Sequence, residues 1–381
     1  MKISAIETFL VHNNWSNFLF VKVHTDEGLH GIGEAYMAGP DEAVVAVIRD
    51  FESWLVGRDP CRIERLWALM YNGSRFPIGA VTGAAISGIE HALWDIKGKI
   101  LGVPVYELLG GKYRDRVRVY HGVYDGDTPE ELAEAATRTV ERYGCTAIKI
   151  APHPLGYAQM PQLALLRAVA LRMEAVREAV GPDVDVAVDL HARMVESGYA
   201  LQMMEVLKPY RPLFVEELIR PENVDALASL RSKAAVPVAT GECLYTKHQF
   251  RALLVRDAVD IIQPDVCLTG GLLEMKKIAG MAESFFVPLA PHNPMGPVAT
   301  AVNVHLAASV PNFMILEYRA DDQPPRCDFV VEPIALKEGY LELPPKPGLG
   351  VELNEEAFAA YPSRRWHRPF EFGADGGVAF W

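Results

Sequence analysis

From about Val117 onward, a short apolar run that ends in a charged or polar residue recurs, each followed by a helical stretch: VDVAVDLH, LFVEEL, VPVATGE, VDIIQPD, FVPLAPH and FMILEY. Their polar ends, Asp189, Glu216, Glu242, Asp265, His292 and Glu317, follow one another at intervals of 27, 26, 23, 27 and 25 residues. One strand, one loop and one helix take about that many residues, and repeated right-handed crossovers in a parallel sheet close into a barrel. A doubly wound open sheet is the competing fold. It gathers ligands at a single crevice, whereas here almost every strand ends in a functional residue type, as barrels require.

The segment before this repeat has a different period. KISAIETFLV and NFLFVKVHTDEGLHGIGEAY alternate like a β-meander, with a hairpin turn at Asp26-Glu27-Gly28. Between Asp41 and Leu109 the period becomes 3.6, and Gly102-Val103-Pro104 closes a long apolar helix around Ile89, Leu93 and Ile96. Within the repeat, Thr128-Pro129-Glu130-Glu131 is a capping box with proline at the first helical position, opening a helix that stops near Gly144. A second helix is expected from about Pro161 to Val180. The Pro-rich end of the chain carries short strands such as GYLELP and is expected to fold back onto the N-terminal part. The expected domains are an α+β cap over 1–116, a barrel over 117–320 and a tail over 321–381 that returns to the cap.

Composition narrows the function classes. Lys plus Arg number 37 against 49 Asp plus Glu, a net charge of −12 with no basic cluster, which disfavours wrapping nucleic acid or coating an anionic membrane. Cys61, Cys145, Cys243, Cys267 and Cys327 are widely spread and contain no C-x-x-C pair, against a disulfide framework or thiolate zinc site. MKISAIETFLVHNNW lacks the apolar core and small-residue cleavage site of a signal peptide, and no run of 18 apolar residues occurs. A cytoplasmic enzyme acting on a small molecule is expected.

Asp189, Glu216 and Glu242 end three consecutive strands, so their side chains can converge over the barrel mouth. Converging carboxylates repel, and an all-oxygen set with room for water suits Mg²⁺ better than Zn²⁺. Any one strand-end acid is more often a helix cap or an ion-pair partner; three in phase are not. His191 stands two residues after Asp189, so a period of 2 puts it on the same side of the strand as the metal acid. His292 ends the strand after the one ending in Asp265, which can orient and charge-stabilise its imidazole as a general base. Lys149 and Glu317 end two further strands, as a fixed positive charge and a hydrogen-bonding carboxyl. His305, inside VATAVNVHLAAS, reads as structural, and His24, His30 and His367 receive no functional role.

Taken together, ISGIEHALWDIKGKILGVPVYELLGG, the strand ends VDLH, FVEEL, TGE and QPD, the GG after QPDVCLT, and PHNPMGP resemble the enolase superfamily in its mandelate racemase branch, over nearly the whole chain. The resemblance implies an α+β cap on a modified (β/α)7β barrel, with Mg²⁺ on Asp189, Glu216 and Glu242. It selects Glu216 over Glu217, which parity leaves open. It also implies a homo-oligomer, dimer-based and up to an octamer. Racemases and muconate-type cycloisomerases of this superfamily carry K-x-K on the second barrel strand; here Lys149-Ile150-Ala151 lacks the second lysine. Asp189-x-His191-x-Arg193 resembles instead the acid-sugar dehydratases of the galactonate dehydratase type, in which that histidine is an acid. Mannonate dehydratases share D-x-H but add a Tyr and Arg pair, and no arginine follows Lys149 before Arg167.

The resemblance therefore implies removal of the C2 proton by His292, held by Asp265, and protonation of the departing C3 hydroxyl by His191. Lys149 and Glu317 would attend the substrate carboxylate, and the product would be a 2-keto-3-deoxy acid. Arg193 either orients substrate hydroxyls or pairs with a barrel carboxylate. Trp15, Tyr36, His153 and Met295 are the loop candidates for reading the sugar's stereochemistry. The alternatives are a one-base epimerase or a cycloisomerase of sugar acids or lactones, and, in a different class, a non-catalytic binding protein, whose mark would be lost metal acids or histidines.

Overall fold

The computed structural model describes residues 1–36, 41–76, 78–194, 196–367 and 370–379. The N-terminal segment is an antiparallel meander of β1 (Ile3–His12), β2 (Asn17–Thr25) and β3 (His30–Ala35). Its second turn falls at the expected Asp26-Glu27-Gly28, where the Thr25 amide donates to the Leu29 carbonyl at 2.9 Å. Helices α1 (Asp41–Leu55), α2 (Ile63–Gly73), α3 (Ala80–Leu101) and the short α4 (Val105–Leu108) follow. α3 is buried on almost every face because it lies between the meander and the barrel, touching β2 and β3 on one side and the barrel helix Leu272–Glu283 on the other.

The barrel runs β4 (Arg116–Val123), α5 (Pro129–Tyr143), β5 (Ala147–Ile150), α6 (Gln162–Val180), β6 (Asp185–Asp189), α7 (Ser197–Leu207), β7 (Val215–Glu216), α8 (Val224–Arg231), β8 (Val238–Thr240), α9 (Thr246–Val255), β9 (Ile261–Ile262), α10 (Leu272–Glu283), α11 (Pro297–Ser309) and β10 (Leu316–Tyr318). Between α10 and α11, single parallel bridges join Leu289 to Ile262 and Phe313, and His292 to Asp265. β10 pairs with β4 in parallel, Leu316 against Val119, which closes the ring. Among the described residues this makes eight strand segments and seven intervening helices, the (β/α)7β arrangement. The capping box forms as read: the Glu131 amide donates to Thr128 Oγ1 and the Thr128 amide to Glu131 Oε2, both at 3.2 Å.

One residue from each strand segment fills a hydrophobic layer inside the barrel: Tyr120, Ala147, Ala187, Phe214, Ala239, Ile261, Ala290 and Ile315. The side-chain period of a strand is 2, so the next layer toward the C-terminal mouth comes from residues two further on. These are Gly122, Lys149, Asp189, Glu216, Gly241, Gln263, His292 and Glu317. The polar layer is thus the continuation of the core.

Two expectations are corrected. β6 ends at Asp189, so Leu190 and His191 belong to a turn and not to the strand. GYLELP does not pair with the cap: β11 (Leu336–Lys337) and β12 (Tyr340–Glu342) form a hairpin whose second strand pairs antiparallel with β4 at Arg116, Val117 and Arg118. β10 pairs with β4 only from Val119, so this stretch of edge would otherwise be open. Other parts of the tail do meet the cap. Phe329 packs on Phe18 and Phe20 at 5.9 Å each, and the His12 amide donates to the Tyr361 carbonyl at 3.0 Å. Among the described residues no helix is long and apolar enough to cross a membrane.

Candidate active site

At the centre of the polar layer stands Lys149. Its Nζ lies 3.1 Å from each of Asp189 Oδ2, Glu216 Oε1 and Glu317 Oε1, and the side chain is 1% exposed. Burial pulls its pKa down, but the surrounding carboxylates, Glu216 and Glu317 foremost, outweigh burial and hold it well above the ordinary lysine value. The three carboxylates therefore favour the charged form of Lys149. On Glu317 burial pushes upward, and Lys149, His292 and Arg319 together hold the carboxyl well below its usual range. The second Glu317 oxygen accepts from the Asn293 amide at 3.0 Å, which ties β10 to the loop after His292.

His292 and Asp265 form a pair, Nδ1 to Oδ2 at 2.8 Å, on the adjoining segments joined by their own bridge. The other Asp265 oxygen accepts from the Cys267 amide at 2.7 Å, which fixes the carboxylate. Burial lowers the pKa of His292, but the Asp265 hydrogen bond and the Glu317 and Asp265 charges raise it above the ordinary value. With Nδ1 engaged by Asp265, Nε2 is the nitrogen that remains for proton transfer, and it lies 3.5 Å from Glu242 Oε2. His191 reaches the site by a turn: with φ at 52°, its amide donates to Asp189 Oδ1 at 3.1 Å and its Nδ1 lies 3.0 Å from the same oxygen. The Ala192 amide is fixed on the Glu217 carbonyl at 2.7 Å. Left-handed backbone at His191, Ala192 and Glu217, none of them glycine, is strain gathered at the mouth.

The two adjacent glutamates differ in surroundings. Glu217 Oε1 accepts from the Thr240 hydroxyl and from the Gly241 amide at 3.1 Å, with burial pushing its pKa up to about 7. Glu216 keeps Oε2 buried with no hydrogen-bond partner. Burial pushes Glu216 and Glu242 well up; Asp189 next crowds the first, and Glu217 and Asp189 the second. Among the described residues no three His, Cys, Asp or Glu side chains are already arranged to hold a metal ion, since Asp189 and Glu216 turn to Lys149 and Glu242 to His292. An orphaned carboxylate oxygen and an all-oxygen donor set, with one lysine facing several acids, nevertheless fit a hard divalent cation.

The loop candidates divide. Tyr36 stands over His292, ring centroids 6.3 Å apart, and Met295 is buried in the loop that follows. His153 is buried against Tyr157 with both ring nitrogens unpartnered, and the Arg193 guanidinium lies 4.6 Å from the same tyrosine ring. Trp15 sits on the β1–β2 turn, 53% exposed, packed on Trp366 of the tail at 5.5 Å. His305 is structural as read: it accepts from the Tyr106 amide at 3.1 Å and meets the Leu349 carbonyl. Sequence reasoning missed Gln263, fully buried in the polar layer with both amide atoms unpartnered, and Arg319, whose Nε lies 3.4 Å from Glu317. Parity was the available signal for both: each stands two residues from an inward-facing position, Ile261 and Glu317.

Two family descriptions match this chain: Mandelate racemase / muconate lactonizing enzyme, N-terminal domain, over residues 5–110, and Enolase C-terminal domain-like over residues 131–357. The chain belongs to the mandelate racemase branch of the enolase superfamily. Among relatives in this superfamily, it is 38% identical over 393 residues to a D-galactonate dehydratase of Variovorax paradoxus and 38% identical over 395 residues to one of Ralstonia nicotianae, with 100% of each chain covered. Of solved structures, it resembles an enolase of Agrobacterium radiobacter provisionally named galactarate dehydratase, bound to Na and L-malate, at TM-score 0.95 and 41% identity over 100% of both chains. A Salmonella protein provisionally named a dehydratase matches at TM-score 0.89 and 34% identity, over 95% of this chain and 99% of that one.

Proposed function

We propose that the chain is a Mg²⁺-dependent acid-sugar dehydratase that removes the C2 proton of an aldonate of the galactonate type and expels the C3 hydroxyl, giving a 2-keto-3-deoxy acid. The observation that carries this reading is the pair of histidines, each with Nδ1 within 3.0 Å of a carboxylate oxygen of its own, His292 on Asp265 and His191 on Asp189. His191 follows the end of β6 and His292 lies on the segment before α11, four places apart in a ring of eight, which sets them on opposite sides of the mouth. Base and acid then meet the substrate from opposite faces.

A proton beside a carboxylate is hard to remove because its loss places a second negative charge on the same group. Mg²⁺ held by Asp189, Glu216 and Glu242 would supply electrostatic stabilisation to that carboxylate. Lys149 adds a fixed positive charge at the same place, and Glu317, held to Lys149, orients it. His292 Nε2 takes the C2 proton while Asp265 stabilises the imidazolium. The electron pair left at C2 moves to form the C2–C3 double bond, and His191 Nε2 protonates the C3 oxygen, which leaves as water. The resulting enol tautomerises to the keto acid.

Ala151, where a second base would stand, weighs against racemisation, and the names of the galactonate dehydratase relatives support the dehydratase reading. The test is a panel of aldonates and aldarates, galactonate and galactarate included, incubated with Mg²⁺ and assayed for 2-keto-3-deoxy product. Turnover to an epimer or lactone without keto acid would reject the proposal in favour of the epimerase or cycloisomerase alternative.

A further inference from the structure

The helices that follow the two members of the base pair both begin with a glycine N-cap that has no side chain to offer. α10 starts after Gly271 and α11 after Gly296, and neither helix start has a side-chain cap from its own N-cap residue. In both cases a buried glutamate from the cap supplies the missing acceptors. Glu90 of α3 accepts from the Leu272 amide at 2.8 Å on Oε2 and from the Leu273 amide at 2.9 Å on Oε1; Trp94 Nε1 steadies Oε1 at 2.6 Å. Glu34 of β3 accepts from the Gly296 amide at 2.6 Å on Oε1 and from the Ala299 amide at 2.9 Å on Oε2. The glycines are what admit these visitors. A Cβ on Gly271 would stand 2.3 Å from Glu90 Oε2, and one on Gly296 would stand 2.7 Å from Glu34 Oε1.

The loops so gripped are those of the dyad. Residues 265–271 run from Asp265 to α10, and residues 292–296 run from His292 to α11. The cap holds the first loop at further points: the Tyr36 amide donates to the Cys267 carbonyl at 3.2 Å, Trp67 Nε1 to the Gly270 carbonyl at 2.7 Å, and Ser87 Oγ accepts from the Gly270 amide at 3.0 Å. We propose that Glu34 and Glu90 are positioning residues by which the cap sets the separation of Asp265 and His292. A helix cap drawn from the same loop would satisfy the amides equally well; a cap drawn from another domain also fixes where each helix start sits. A 2.8 Å hydrogen bond between two separate strand ends needs that placement.

The proposal rests on the dehydratase reading only for its kinetic readout. In the full chain, Glu34→Gln and Glu90→Gln keep size but turn an amide –NH₂ toward a backbone N–H that now meets an oxygen. The spectroscopic readout is the proton resonance of His292 Nδ1 bound to Asp265, identified by its absence in His292→Asn. Expected in each variant are a shifted or broadened Nδ1 resonance, a kcat lower on the order of 10-fold or more, and a KM within about twofold of wild type. The double variant Glu34→Ala/Gly296→Ser returns a cap from within the barrel. It is expected to recover Tm without recovering the resonance or kcat. A wild type lacking the resonance, single variants that keep it and kcat while only Tm falls, or a double variant that regains all three would each overturn the proposal. If wild type turns over no member of the acid panel, the dehydratase reading fails, and the resonance still decides the positioning role.

Discussion

Lys149→Met removes the one cation that three buried carboxylates share and replaces it with a side chain of similar length. At 3.1 Å and an effective dielectric near 20, each of the three contacts is worth about 5 kcal/mol before desolvation is counted. Taking an ammonium and its partners out of water offsets most of that sum, and removing one partner of a buried ion cluster costs about 3–5 kcal/mol. In EDTA, Tm should therefore fall by roughly 6–10 °C, at ~2 °C per kcal/mol for a chain of this size. The sign of the pH dependence follows from the partners. Asp189 and Glu317 are held below their ordinary values, so their contribution is complete above the unfolded carboxyl pKa of about 4 and is lost as pH falls below it. Lys149 is held above its ordinary value and stays charged, so the share of the gap between wild type and variant that Asp189 and Glu317 carry should narrow below about pH 4, whereas Glu216, pushed up by burial, adds its share only where the pH is high enough to ionise it. Cation binding should move the opposite way to stability. Removing a positive charge from beside Asp189 and Glu216 tightens Mg²⁺ while kcat collapses. Calorimetric titration with weaker Mg²⁺ binding in Lys149→Met, or an unchanged Tm in EDTA, would refute this account of the cluster.

His191→Asn should leave C2 proton exchange with deuterated solvent intact and stop formation of keto acid by about 10²–10⁴, read by proton NMR and by a keto-acid assay side by side. Asp265→Asn keeps the oxygen that accepts from the Cys267 amide but turns –NH₂ toward His292 Nδ1, forcing the proton onto Nε2. Circular dichroism should be unchanged while kcat falls on the order of 10²–10⁴. Gly271→Ala puts a Cβ 2.3 Å from Glu90 Oε2 at a φ of +93°, and chemical denaturation should show a loss of about 2 kcal/mol or more.

The barrel was legible because, from β5 onward, a residue type that a strand interior avoids lies within three residues of each strand end, and the spacing of those residues counts the βα units directly. Asp189, Lys149, His292 and Glu317 could be placed in one layer by parity alone. His191 could not: the strand stops at Asp189, and the imidazole reaches the site through a left-handed turn closed by the hydrogen bond of its amide to the aspartate, which no period describes. The GYLELP hairpin was misplaced because its target is an edge of β4 left open by the register of β10, a property of the assembled sheet. Glu34 and Glu90 were invisible for a related reason. A glutamate within an apolar strand or helix reads as an anomaly until the amides it accepts, more than 180 residues further along the chain, are brought beside it.

The Glu216-Glu217 pair shows what fixes such a site. A slip of β7 by one residue would present Glu217 to the mouth in place of Glu216, with an acid at the same place and no change in charge. Sequence alone cannot exclude it, since Phe214 and Val215 are both apolar and either can face inward. In the assembled barrel the choice belongs to the layer beneath, where Phe214 meets Tyr120 edge-on at 6.0 Å across rows of alanine. Val215 there would leave unfilled the space that the aromatic ring occupies, and an aromatic-to-aliphatic loss of that size in a core costs more than a surface register can return. The hydrophobic layer therefore selects which glutamate faces the mouth, and packing directly beneath the site decides which acid the polar layer presents.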